Sequence, residues 1–313
     1  MTLHSAAQSD AEMMTVVPTI SLTRAYQRYQ EIRSRLPGAR FPSAPVYAGS
    51  LIETAERYDG FLFDSFGVLN VGETAIEGAA ECLSALRAMG KPFCILTNAA
   101  SYTSEIAYGK YRRLGLDVRR EEIVSSRDVA LAHLDGLAPD LRWSAICASG
   151  DGFEDAAVGV IDLLDAGDDW SRAEGFLFLS SARWTEVLQD RLVSELLMNP
   201  RPVVIANPDL IAPREDGLTL EPGWWAHDLQ DRAGVTPHFF GKPFAAAFEN
   251  AIGRVGAGRL AMVGDTLHTD ILGGQAAGLD TILVTRHGLF AAEPVEPYIA
   301  DSQIVPTIII PFI

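Results

Sequence analysis

From Tyr58 onward, short apolar runs alternate with segments whose apolar residues recur at helical spacing. FLF (Phe61 to Phe63) stops at Asp64, and AIEGAAECLSALRAMG (Ala75 to Gly90) follows as an amphipathic helix ended by glycine. KPFCILTN predicts the next strand, IAYGKYRRLG a helix, EEIVSS a strand and RDVALAHL a helix. This βαβ rhythm predicts an α/β fold with a Rossmann-like, doubly wound parallel sheet covered by helices. Between about Leu137 and Glu221 the strand-like runs WSAICASG, GFLFLSSARW and RPVVIANPD are separated by acidic loops. Stronger signals return in HFFGKPFAAAFENAIGRVG and RLAMVGDTLHTDILGGQAAGLDTILVT. The expected division is a main domain made of 51–136 and 222–313 and a smaller α/β unit over 137–221. Residues 1–50 form a leader. Its Leu22, Tyr26, Tyr29, Ile32 and Leu36 share a helical stripe expected to pack on the main body, before PGARFPSAP ends the helix.

Composition narrows the partners. With 313 residues and 48% hydrophobic content the chain can build two cores. Lys plus Arg number 25 against 41 Asp plus Glu, a net charge of −16, which repels nucleic acids and anionic membranes at long range. Neither is expected as a partner, and a bound phosphate must be held by a metal or by local donors. Cys82, Cys94 and Cys147 lie in apolar segments without metal-ligand spacing and are expected to be buried thiols. The start MTLHSAAQSDAEMM lacks the basic flank and apolar core of an export signal, and no apolar run reaches the length of about eighteen residues that a membrane span needs. These features give a cytoplasmic expectation.

Four segments share one context, where an apolar strand gives way to a loop. Asp64 ends FLF, Thr97-Asn98 ends FCILTN, Gly241-Lys242-Pro243 follows HFF, and Gly264-Asp265-Thr266 follows AMV. Each has an ordinary structural reading, as a turn, a strand end, a solvated lysine or a helix cap. In a parallel sheet, however, these ends face one crevice, so two carboxylates, a hydroxyl and an ammonium can converge there. That set suits phosphoryl transfer. Asp64 can serve as nucleophile on phosphorus. Asp64 and Asp265 offer the hard oxygen ligands that Mg²⁺ takes, and Thr97 and Lys242 can hold the equatorial oxygens. Pro243 is compatible with the first position of a helix.

These motifs, in this order, resemble those of the haloacid dehalogenase superfamily of phosphohydrolases. ANPD (Ala206 to Asp209) and GDTLHTDILGGQAAGLDTILV are similar to its class IIA branch, and the resemblance spans about residues 55 to 290. It implies a Rossmann-like core with an inserted α/β cap of the C2 type, a dependence on Mg²⁺ and a small phosphorylated metabolite as substrate. It is also compatible with a homodimer through the cap. By position, the resemblance makes Asp64 nucleophile and metal ligand and Asp265 a metal ligand, with Asp270 supporting the metal. Thr97, Asn98 and Lys242 become the phosphate-binding residues, and Asn207 and Asp209 fall in the cap segment that lines the substrate side.

One position departs from the pattern. The first motif of the family reads Asp-x-Asp, and its second Asp moves the proton of the leaving group. Here that position is Phe66. The metal site is not affected, because in the family this residue ligates through its backbone carbonyl, but proton transfer is worth about 10²- to 10⁴-fold. Three outcomes are open: a phosphatase for esters with acidic leaving groups, a slow phosphatase or phosphotransferase in which His268 or a cap residue supplies the proton, or a phosphate-ligand binding protein. A two-component receiver domain has its metal-binding acids before the phosphorylated Asp, the reverse of the order here. A nicotinamide-binding domain needs G-x-G-x-x-G after the first strand, where this chain has DSFG.

Overall fold

The computed structural model describes residues 19–313 apart from 139, 166, 168, 215 and 216. Two parallel sheets organise the chain. The larger has seven strands in the order Val46–Tyr47, Ile308–Ile310, Asp280–Val284, Leu260–Gly264, Gly60–Phe63, Phe93–Thr97 and Ile123–Ser125. The smaller has five: His238–Phe239, Val203–Ile205, Gly175–Phe178, Trp143–Ile146 and Val160–Asp162. The strand pairings in both are parallel.

The central strands are apolar without alternation because both of their faces are covered. Phe61 and Phe63 pack in one layer with Ile95, Val263 and Ile282. Leu62, one residue out of phase, enters the opposite layer with Cys94, Leu96, Met262 and Phe248. The expected strands and helices are present with shifted ends: the helix read over Ala75 to Gly90 spans Ala79–Ala88, the strand read over Lys91 to Asn98 spans Phe93–Thr97, and the helix read over RDVALAHL runs longer, Ser126–Leu137. All three cysteines are buried free thiols.

Two differences concern the second unit and the Lys242 loop. The five-stranded sheet takes its edge strand from His238–Phe239, which pairs with Val204 and Ile205. Sheet pairing thus carries this unit past residue 221 to Phe239, and the helix Pro222–Ala233 packs on its helix Glu186–Met198. Strong helical periodicity resumes only after Phe239, but it begins one strand too late to mark the edge of a sheet. Pro243 does not open the following helix, which spans Ala245–Val255 with Phe244 as its cap. Pro243 instead follows a cis peptide bond in the loop before it.

The leader helix, Leu22–Glu31, is capped by the Ser21 hydroxyl, which accepts from the Arg24 amide. Tyr29, Ile32 and Leu36 are buried, as the stripe requires. The helix contacts both units. On the large-sheet side the Tyr26 hydroxyl donates to Asp301, and Tyr29 stacks on His268 with ring centroids 4.7 Å apart. On the other side Arg28 and Arg35 pair with Asp231, and Arg24 and Arg28 lie over the Trp224 ring. Just before the helix, Thr19–Ile20 pairs antiparallel with Leu218 and Thr219. No helix among the described residues is long and apolar enough to cross a membrane.

Candidate active site

The large sheet changes winding direction at Gly60–Phe63, flanked by Leu260–Gly264 on one side and Phe93–Thr97 on the other. The carboxyl ends of such strands open the crevice in which α/β proteins bind ligands. Asp64 continues this central strand, its amide donating to the Val263 carbonyl at 2.8 Å. Its Oδ1 accepts from the Ser65 amide at 2.7 Å and lies 2.6 Å from Lys242 Nζ.

Lys242, 2% exposed, also reaches Asp270 Oδ1 at 2.8 Å. Burial opposes its charge, but Asp270, Asp64 and Asp209 together hold the ammonium above its ordinary range. Asn98 fixes this lysine by its backbone. The Asn98 Oδ1 accepts from the Lys242 amide at 2.7 Å, and its Nδ2 donates to the Lys242 carbonyl at 3.0 Å and to Asp209 Oδ1 at 2.8 Å. The Asn98 side chain is therefore engaged with the Lys242 backbone and the Asp209 carboxylate. Thr97 is buried beside it, its hydroxyl accepting from the Ala99 amide at 3.2 Å.

Asp265 and Asp270 come from one tight turn. After Gly264 a widened turn over Leu267–Ile271 brings Asp270 back under the loop. Its Oδ2 accepts from the amides of Asp265 and Thr266 at 3.2 and 3.0 Å. A Cβ at Gly264 would stand 2.2 Å from the Asp270 side chain, so only glycine admits this approach. Asp265 is held by Thr266, whose hydroxyl donates to Oδ1 at 3.0 Å, and by the Leu289 amide, which donates to Oδ2 at 2.7 Å. Carboxylate oxygens of Asp64, Asp265 and Asp270 lie within 4.8 Å of one another, the one such group of potential metal ligands among the described residues. Burial and mutual repulsion raise Asp265 well above the carboxylate range, and burial also raises Asp64 against the pull of Lys242. Three converging hard oxygens in a site short of positive charge suit a divalent cation such as Mg²⁺.

The cavity above these groups measures about 60 Å³ and is walled by Tyr29, Asp64, Phe66, Asp209, Asp265 and Thr266, with apolar residues including Ile211, Pro213 and Leu289. About 10–15 Å³ of such space holds one water, so there is room for a small polar group. Burial carries Asp209 up to about 7. Asn207 sits behind the wall. It accepts from the Asp209 amide at 3.0 Å and donates to Glu221, setting the turn that presents Asp209.

Sequence reasoning offered His268 as a proton source, and the structure places it elsewhere. Its ring is 2% exposed beneath the leader, stacked on Tyr29 and bonded through Nε2 to Gln30, and burial lowers it to about 3. The residue that sequence reasoning missed is Tyr29. Its place on the packing stripe accounts for its burial, but nothing in that stripe says that it ends in the cavity. Its hydroxyl accepts from the Leu210 amide at 3.2 Å, one residue past Asp209.

Two family models match the chain: a haloacid dehalogenase-like hydrolase model over residues 61–160 and a HAD-hydrolase-like model over 239–309. An acid sugar phosphatase of Staphylococcus aureus is 29% identical over 246 residues, covering 77% of this chain and 91% of that protein. Among solved structures, a possible sugar phosphatase of the HAD superfamily from Cytophaga hutchinsonii is 26% identical with a TM-score of 0.73, covering 88% of this chain and 98% of its own. A glycerol phosphate phosphatase from Mycobacterium tuberculosis, solved in complex with magnesium, is 26% identical with a TM-score of 0.66, covering 82% and 75%. With the ordered motifs gathered at one site, Lys242 reaching it from the loop after an edge strand of the smaller sheet, these likenesses identify the chain as a member of the haloacid dehalogenase-like hydrolases, in their class IIA branch.

Proposed function

We propose that this protein is a Mg²⁺-dependent phosphatase that hydrolyses a small phosphate monoester through an aspartyl-phosphate on Asp64. The observation that carries the reading is the pairing of Asp64 Oδ1 with Lys242 Nζ at 2.6 Å, beside two further carboxylates at the mouth of the central strand. Asp64, Asp265 and Asp270, with the Phe66 carbonyl, would hold the ion. Mg²⁺ bound there supplies charge neutralisation for the phosphoryl oxygens. The ammonium of Lys242 orients the same oxygens and favours the ionised form of Asp64 that attacks. Thr97 is assigned a phosphate contact from its place at the end of the neighbouring strand. Asn98 acts by fixing Lys242. The five-stranded unit serves as a cap whose segment from Asp209 to Pro213 closes the site, and the relatives named as sugar and glycerol phosphate phosphatases support a small polar ester.

Phosphate esters assayed with Mg²⁺ test the proposal. Turnover of p-nitrophenyl phosphate is expected in the wild type, to vanish in Asp64→Asn and to vanish on chelation. Phe66→Asp is expected to raise turnover of esters with poor leaving groups. Turnover indifferent to Asp64 overturns nucleophilic catalysis, whereas tight binding of phosphate compounds without turnover makes the chain a binding protein.

A further inference from the structure

We propose that Asp209, carried by the cap, is the general acid and base of this site. The inference rests on the phosphatase reading and deepens it. An alkoxide leaving group must receive a proton as its bond to phosphorus breaks, and the water that later attacks the phosphoaspartate must lose one. Phe66, two residues after the nucleophile, can do neither.

The groups on the cavity wall leave few alternatives. Asp64 and Asp265, with Asp270 close by, form the carboxylate cluster beside Lys242. The hydroxyl of Thr266 donates to Asp265, and aliphatic hydroxyls such as that of Thr269 are too weakly acidic for the task. The Tyr29 phenol accepts from the Leu210 amide, and burial raises it well above its ordinary value, so it is a poor acid. Asp209 stands outside the carboxylate cluster and lines the same cavity as Asp64 and Phe66.

Its direction is also suitable. In-line attack by Asp64 puts the leaving oxygen opposite the nucleophile, and Asp209 walls the cavity that must receive it. Asn98 ties the two halves together, since its amide donates to Asp209 Oδ1 at 2.8 Å while holding the Lys242 backbone. Burial, with Asp270 and Glu221, raises this carboxyl, while Lys242 and Asn98 pull it down; the balance near 7 lets it give and take a proton at neutral pH.

In the first step a carboxylate oxygen of Asp64 bonds to phosphorus, the ester P–O bond breaks, and the departing oxygen takes the proton of Asp209. In the second, Asp209 takes a proton from water as its oxygen bonds to phosphorus, the Asp64–phosphorus bond breaks, inorganic phosphate is released and Asp209 is protonated again.

The full-length protein with Mg²⁺, assayed with p-nitrophenyl phosphate and with glycerol phosphate, tests this. In Asp209→Asn, kcat for glycerol phosphate is expected to fall about 10²-fold or more. Nitrophenolate is still expected to appear in a burst of one equivalent per site before a slow steady state, because that leaving group needs no proton. Adding Phe66→Asp to this variant is expected to restore glycerol phosphate turnover, which a merely structural role for Asp209 would not allow. Equal losses for both esters without a burst, or unchanged glycerol phosphate turnover, overturn the proposal. Should the variant fail to fold, the wild type decides: rates across a series of aryl and alkyl phosphates should depend weakly on leaving-group acidity, and a steep dependence overturns the assignment. In these outcomes nitrophenyl turnover that still requires Asp64 leaves the phosphatase reading standing, so the two failures are distinguishable.

Discussion

At the scale of single residues, the site depends as much on the glycines around Asp265 as on the acids themselves. Gly288 adopts φ +77°, and a Cβ there would lie 1.8 Å from Asp265 Oδ2. Gly67, at φ +80°, would place its Cβ 2.5 Å from the same oxygen. Both conditions exclude side chains, once by backbone conformation and once by space. Gly288→Ala is therefore expected to turn Asp265 away from Asp64, weakening Mg²⁺ affinity by at least about tenfold, as loss of a supporting contact does at metal sites. Titration calorimetry checks this, and unchanged affinity with unchanged activity would show that the loop yields instead. The sequence made Asp64, Lys242 and Asp265 legible because each punctuates an apolar strand. The hydrogen bonds of Asn98 and Asn207 were not legible, since nothing in the sequence pairs an asparagine with the backbone and carboxylate groups it meets in the fold.

At the scale of elements, strands and helices were readable from the periodicity, but the leader's destination was not. Its stripe specifies that Tyr29 and Ile32 are buried and says nothing about what they are buried against; that depends on His268, Leu210 and Trp224, far away in sequence. His268 gives this contact a pH dependence. The folded protein holds it near 3 and the unfolded chain near 6.5, so between those values unfolding takes up a proton. Stability contributed by the neutral ring is present above pH 6.5 and lost as pH falls toward 3. On the order of 2 kcal/mol of this contribution should disappear between pH 7 and pH 5. The raised carboxyls of Asp64, Asp209 and Asp265 carry the opposite slope, so the difference between wild type and His268→Gln in urea unfolding isolates the histidine. Equal pH slopes in the two proteins would show that the ring is not held neutral.

At the scale of the whole molecule, two parallel sheets meet over a cavity whose walls carry more negative than positive charge, in a chain that is itself strongly acidic. Mg²⁺ bound to the native cluster and not to the unfolded chain stabilises the fold by mass action, about 2.7 kcal/mol at one hundred times its dissociation constant. The midpoint of thermal unfolding is thus expected to rise with Mg²⁺ in the wild type and to be indifferent to it in Asp265→Asn. A rise of equal size in both would place the ion elsewhere.

The leader helix holds the large-sheet unit with one set of side chains and the cap with another. Through Tyr29 the same helix also forms part of the cavity wall. A segment outside the matched family models thus bridges both units, and Trp224, lying under Arg24 and Arg28, is expected to report any loosening of that bridge as a change in its fluorescence.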